Sequence, residues 1–172
     1  MGLLFRPDRP LARCLAEVAP TAPTTVRLLP ATACCPKRAQ VVHDAIRATM
    51  ADDPIDLAAI FCDDVVVSAP TVAVSSRREL EVVCRAGDDA LHDVALTVYS
   101  FDMVGDKVIA EWRMTATFGR AFLLGDDRLV EPTGRLVRLA GVTIAEFDGD
   151  LVRSLRHYLD DASLLEQLLS LA

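Results

Sequence analysis

The sequence predicts an α+β domain, with helices gathered on one side of a largely antiparallel sheet. Three observations predict it. Apolar residues repeat at helical spacing in the first half of the domain. Period-two alternation takes over from about residue 94. The alternating segments are joined by short hairpin turns. A long, strongly twisted sheet of this kind can curl around a cavity. At 172 residues and 52% hydrophobic, the chain has the length and apolar content for one core and an extension.

Residues 1–36 read as a Pro-rich N-terminal extension, disordered or laid against the main domain of residues 37–172. Six of the nine prolines lie before residue 40. Residues 1–40 carry a net charge of +4, which leaves −11 for the remainder of a chain of net −7. Val41, Val42, Ala45, Ile46 and Ala48 then follow helical spacing and predict a helix over Lys37–Met50. Asp53-Pro54 ends or restarts it, Ile55–Phe61 reads as a short second helix, and Val65–Ser68 as a strand. Ser76 with Glu79 three residues on fits a capping box, so a third helix is expected over Arg77–Ala86.

Val94–Val104 and Val108–Phe118 read as a hairpin around Gly105-Asp106. On the second strand Val108, Ala110, Trp112, Met114, Ala116 and Phe118 share one face, and Glu111, Arg113, Thr115 and Thr117 the other. Gly119–Gly134 reads as a long loop. Arg135–Phe147 and Leu151–Leu159 form a second hairpin around Asp148-Gly149-Asp150. Ser163–Leu171 is a closing helix, with Asp160 or Asp161 as its N-cap.

Composition excludes several classes. The chain is acidic and has no basic stripe with interleaved aromatics, so no nucleic-acid partner is expected. No stretch approaches the roughly 20 apolar residues of a membrane span. The early apolar runs are broken by Pro20, Pro23 and Pro30, unlike an export signal. Five cysteines, an odd number without metal-site spacing, point to reduced thiols in a cytoplasmic protein and to no metal.

Several short motifs occur in a telling order. They are Phe61-Cys-Asp-Asp64, Glu111-Trp112, Pro132-Thr-Gly-Arg135, Gly141-Val-Thr-Ile144, Phe147-Asp-Gly149, His157-Tyr-Leu-Asp160 and Leu164-Leu-Glu-Gln-Leu168. In this order, His43–Leu169 resembles the SnoaL-like polyketide cyclase and ester cyclase family of the nuclear-transport-factor-2-like (NTF2-like) superfamily. The resemblance implies a cone-shaped fold, with a curved, mostly antiparallel sheet packed against three N-terminal helices plus a short C-terminal helix. It also implies a pocket between sheet and helices, proton-transfer chemistry without a cofactor, and a homodimer through the outer sheet face. Members close polyketide rings by aldol-type chemistry, open epoxides or shift steroid double bonds, so the fold does not decide the reaction.

The residues depart from the known patterns. SnoaL-type cyclases keep an acid/base aspartate on the last strand, where this chain has His157. They keep a histidine on the preceding strand, where it has Thr143. The limonene-epoxide-hydrolase pattern needs a Tyr and an Asn where Val67 and Ala69 stand. It also needs an Arg-x-Asp where Arg113-Met114-Thr115 retains only the Arg. Carboxylates to activate water and protonate an epoxide are missing, so that reaction is disfavoured.

His157 shares its strand face with Leu155 and Leu159 and should point inward. Burial would keep its ring neutral, which suits a general base beside a carbonyl; a hydrogen-bonded core histidine is the bland alternative. Thr143 could orient His157 or meet a ligand, or be an ordinary strand residue. Arg113 could polarise a carbonyl, or pair with Glu111 or Asp102 on the outer surface. Trp112, Met114, Tyr99, Phe118 and Tyr158 are candidate ligand-binding walls, with core or dimer packing as the alternative. The expectation is a cofactor-independent cyclase or isomerase acting on an apolar carbonyl compound such as a polyketide. A non-catalytic binder of a small hydrophobic ligand and a dimerising accessory domain compete with it.

Overall fold

The place of the first helix follows from its apolar stripe. The computed structural model describes residues 32–50, 56–70, 72–85, 90–123 and 129–170, so most of the Pro-rich segment, residues 1–31, lies outside the described residues. Helix α1 (Pro36–Met50) starts on a proline, a residue whose fixed φ suits a first helical turn. It buries Val42, Ala45, Ile46 and Ala48 against the sheet. Its start is clipped to a turn at residues 148–150. There Lys37 pairs with Asp150, and the Arg38 guanidinium lies 4.8 Å over the Phe147 ring. Ahead of α1, strand β1 (Thr32–Ala33) already pairs with Asp102 and Met103, so the sheet begins a few residues before residue 37.

The short second helix is a single 3-10 turn, Leu57–Ala59, capped by Asp56, whose carboxylate accepts from the Ala58 amide at 3.0 Å. It stays short because β2 (Phe61–Ala69) begins at once, four residues ahead of the expected strand. Between Phe61 and Val66 the register of β2 shifts in a bulge. Arg77 holds that bulge by donating to the Phe61 carbonyl at 3.0 Å and pairing with Asp63. Strand β3 (Val72–Val74) folds back on β2. Helix α2 (Arg77–Arg85) has the expected cap: the Glu79 amide donates to Ser76 Oγ at 3.2 Å. The Glu79 carboxylate, however, reaches one residue further back, to the Ser75 amide at 2.8 Å.

The long strands follow, β4 (Leu91–Val104), β5 (Lys107–Phe118), β8 (Leu136–Asp148) and β9 (Leu151–Leu159). The loop expected over Gly119–Gly134 contains a small hairpin of β6 (Phe122–Leu123) and β7 (Leu129–Val130). Helix α3 (Asp161–Ser170) closes the domain; Asp160 caps it by accepting from the Ser163 amide at 3.1 Å.

The main sheet has the order β1-β4-β5-β8-β9-β2-β3 and is open at both edges among the described residues. All pairs are antiparallel except β2 with β9, which makes the sheet mixed. This is the α+β cone of NTF2-like proteins. The helices cover its concave face, where Ile46, Phe61, Trp112 and Leu155 join one core. A second, smaller core lies towards the far end of β5, with Phe118, Val130, Val137 and Leu168.

Candidate functional site

Two polar side chains are buried among the described residues, Thr143 and His157, and they stand directly opposite each other on β8 and β9. Strand alternation puts both on the concave face, beneath the last turn of α1. Burying polar groups in an apolar core is costly unless each finds a partner, and here each does. Trp112 on β5 donates its indole N–H to Thr143 Oγ1 at 2.8 Å. Thr143 Oγ1 lies 2.8 Å from His157 Nδ1, and His157 Nε2 lies 2.9 Å from Thr49 Oγ1. The Thr49 hydroxyl donates back along α1 to the Ala45 carbonyl at 2.7 Å. The chain of bonds thus runs from β5 through β8 and β9 into α1.

The indole also stands edge-on to the imidazole, with ring centroids 6.5 Å apart. Its seat is Gly141, its direct cross-strand partner. A Cβ at residue 141 would come within 2.5 Å of Trp112 Cζ2 and 2.9 Å of Cε2. The missing side chain therefore lets the ring lie across β8 and bring Nε1 to Thr143. Desolvation lowers the His157 pKa from 6.5 to about 4, so the ring is neutral at physiological pH.

Of the residues singled out from the sequence, the structure brings His157, Thr143 and Trp112 together. Met114 follows Trp112 on the same buried face and belongs to the same core. Phe118 is fully buried but lies in the second core, about 20 Å along β5 from Trp112 at the usual strand rise. Three others lie on the opposite side of the sheet. Arg113 follows Trp112 and must face outward; its guanidinium sits 5.8 Å from the ring of Tyr99, which is 60% exposed. Tyr158 follows His157 and is 55% exposed for the same reason. Arg113 therefore does not reach His157, and the more apolar face of β5 is the inner one. His43 and His92 sit beside Asp44 and Asp93, away from this cluster.

Two members were not among the candidate site residues. Thr49 continues the α1 stripe of Val42, Ala45 and Ile46, and a hydroxyl on an otherwise apolar helix face was the available signal. Gly141 carried no local sign of its role, because its partner arrives from another strand.

The profile of the SnoaL-like domain matches residues 42–155. The chain belongs to the SnoaL-like domain family. The match contains Thr49, Trp112, Gly141 and Thr143 and ends two residues before His157. No protein of curated function matches the chain by sequence. Among solved structures, a protein of Acidithiobacillus ferrooxidans with a provisional polyketide-cyclase assignment is 17% identical. It superposes with a TM-score of 0.66 over 82% of this chain and 100% of that one. IdmH of Streptomyces antibioticus, with a similar provisional assignment, is 19% identical with a TM-score of 0.61, over 76% and 97% of the two chains. An LEH-like epoxide hydrolase of M. tuberculosis is 16% identical with a TM-score of 0.57, over 78% and 90%. At such identities the likeness establishes the fold, and leaves the reaction to the site. No helix among the described residues is long and apolar enough to cross a membrane.

Proposed function

We propose that the protein is a small cyclase or isomerase of the polyketide-cyclase type, acting without a cofactor on an apolar carbonyl compound that meets His157. The observation that carries this reading is a neutral imidazole, buried among apolar side chains, at the strand position where the resemblance to SnoaL-type cyclases implies the catalytic group. Trp112 supplies apolar surface beside it, with Met114 further along the same core face, and Thr143 holds the ring. Arg113, Tyr99 and Tyr158 take no part, since they face away. The reading is tested by incubating the full chain with linear polyketide methyl esters and following ring closure by liquid chromatography and mass spectrometry. His157→Gln should abolish conversion while the circular dichroism spectrum is retained. Unchanged conversion in that variant would remove His157 from the chemistry.

One observation favours a second reading, a non-catalytic binder of a small hydrophobic ligand. Both ring nitrogens of His157 already have protein partners, so the ring is satisfied without any substrate. A ligand recovered intact after prolonged incubation with the protein would support this reading over the first. A homodimer through the outer sheet face accompanies either reading. That face exposes Tyr99, Tyr158, Leu136 and Val66, large apolar groups that a partner would cover. Light scattering coupled to gel filtration measures it. A cytoplasmic setting agrees with the thiols of Cys34, Cys35 and Cys62, which form no disulfide among the described residues.

A further inference from the structure

We propose that His157 meets its ligand as a hydrogen-bond donor through Nε2–H, and that the Thr49 hydroxyl stands where an acceptor oxygen of that ligand binds. The ligand class is then an apolar compound bearing a carbonyl. The inference rests on the reading above only in taking His157 as the polar group of the site.

The argument is one of hydrogen counting. Each end of the chain of bonds has a single role: the Trp112 indole can only donate, and the Ala45 carbonyl can only accept. Thr143 receives the indole hydrogen, so its own hydrogen is free to go to His157 Nδ1. A neutral ring that accepts at Nδ1 carries its hydrogen on Nε2. That hydrogen points to Thr49 Oγ1, whose own hydrogen goes to Ala45. Every group is satisfied in this direction. In the opposite tautomer, Trp112 and His157 would both donate to Thr143. The Thr143 hydrogen would then lack an acceptor in a fully buried position, and Thr49 would have to give up Ala45.

The two bonds to His157 differ in what their loss entails. Thr143 is fully buried and committed on both sides. Thr49 is half-buried, in the last turn of α1, and its bond to Ala45 persists whether or not it touches His157. A ligand oxygen can replace Thr49 on the Nε2–H without orphaning any protein group. A ligand offering only donors cannot. A carbonyl oxygen polarised towards negative charge accepts more strongly from Nε2–H than a neutral hydroxyl does. A general base at Nε2 would need that nitrogen bare, which the order of bonds opposes.

The test needs no substrate. Long-range proton–nitrogen correlation spectra of the full chain, with labelled histidine, report the tautomer of each of the three histidines, and His157→Gln assigns the signal. The expected result at neutral pH is His157 protonated on Nε2; protonation on Nδ1 would overturn the inference. Trp112→Phe frees Thr143 to accept, and should raise the Nδ1–H share; no rise would also count against it. In Thr49→Ala, cyclohexanone should shift the His157 Nε2 signal and cyclohexylamine should not. A response to the amine, or none to the ketone, would defeat the placement at Thr49. A chain that passes these tests yet converts no ketone keeps the inference and loses the cyclase reading.

Discussion

Acidification should weaken the fold through His157 before it acts on the carboxylates. The folded-state pKa is lowered to about 4, whereas an unfolded histidine titrates near 6.5. A lowered histidine pKa means that the unfolded chain takes up the proton first. Stability is therefore full above pH 6.5, falls as pH drops below it, and reaches its lower level once pH passes about 4. The full shift corresponds to roughly 3 kcal/mol, of which about 2 kcal/mol is lost between pH 7 and pH 5. That is a large part of the roughly 5–15 kcal/mol that holds a typical domain together. Urea denaturation at pH 7, 6 and 5 measures it, with His157→Gln as the reference that cancels all other titrating groups. The wild-type protein should lose about 2 kcal/mol more than the variant over this range. Equal losses would show that His157 charges without penalty in the folded state, and the description of a buried, neutral ring would be wrong.

Further outcomes follow from single contacts. Gly141→Ala places a Cβ within 2.5 Å of Trp112 Cζ2, so overpacking should cost about 1–3 kcal/mol and shift the emission of the chain's single tryptophan. Arg113→Gln removes only an exposed stacking contact with Tyr99; its urea midpoint should stay within about 0.5 kcal/mol of wild type, with conversion unchanged. Asp160→Ala removes the cap of α3 and should cost about 1 kcal/mol in thermal unfolding.

The long elements were legible because their side chains repeat. Leu151–Leu159 is β9 from end to end, and the alternation of Val108–Phe118 carries through β5. Where the repeat is broken, the elements were hidden. The bulge between Phe61 and Val66 interrupts the alternation of β2 and concealed its first residues. β3, β6 and β7 are two or three residues long and too short to show any period. At the site, Thr143 and His157 were visible because both lie on alternating strands of one hairpin. Their directed network was not. It depends on α1 settling over β9, a meeting of residues 108 apart in the chain that no local pattern encodes.

His157 stands where the family resemblance implies an acidic residue, and that changes what this site can do. The resemblance to SnoaL-type cyclases implies an aspartate and a histidine at the positions of His157 and Thr143, a pair able to carry charge. Here the pair is histidine and threonine, and only the histidine titrates, well below neutral pH. A carboxylate buried at residue 157 would need a compensating charge nearby; Arg113, the nearest arginine along β5 to Trp112, faces solvent and supplies none. A neutral imidazole needs no such partner. It needs only a donor behind it and an acceptor before it, which Thr143 and Thr49 provide. The site is therefore built to offer one fixed N–H in an apolar setting, and a polarised carbonyl is the chemical group that such an N–H serves best.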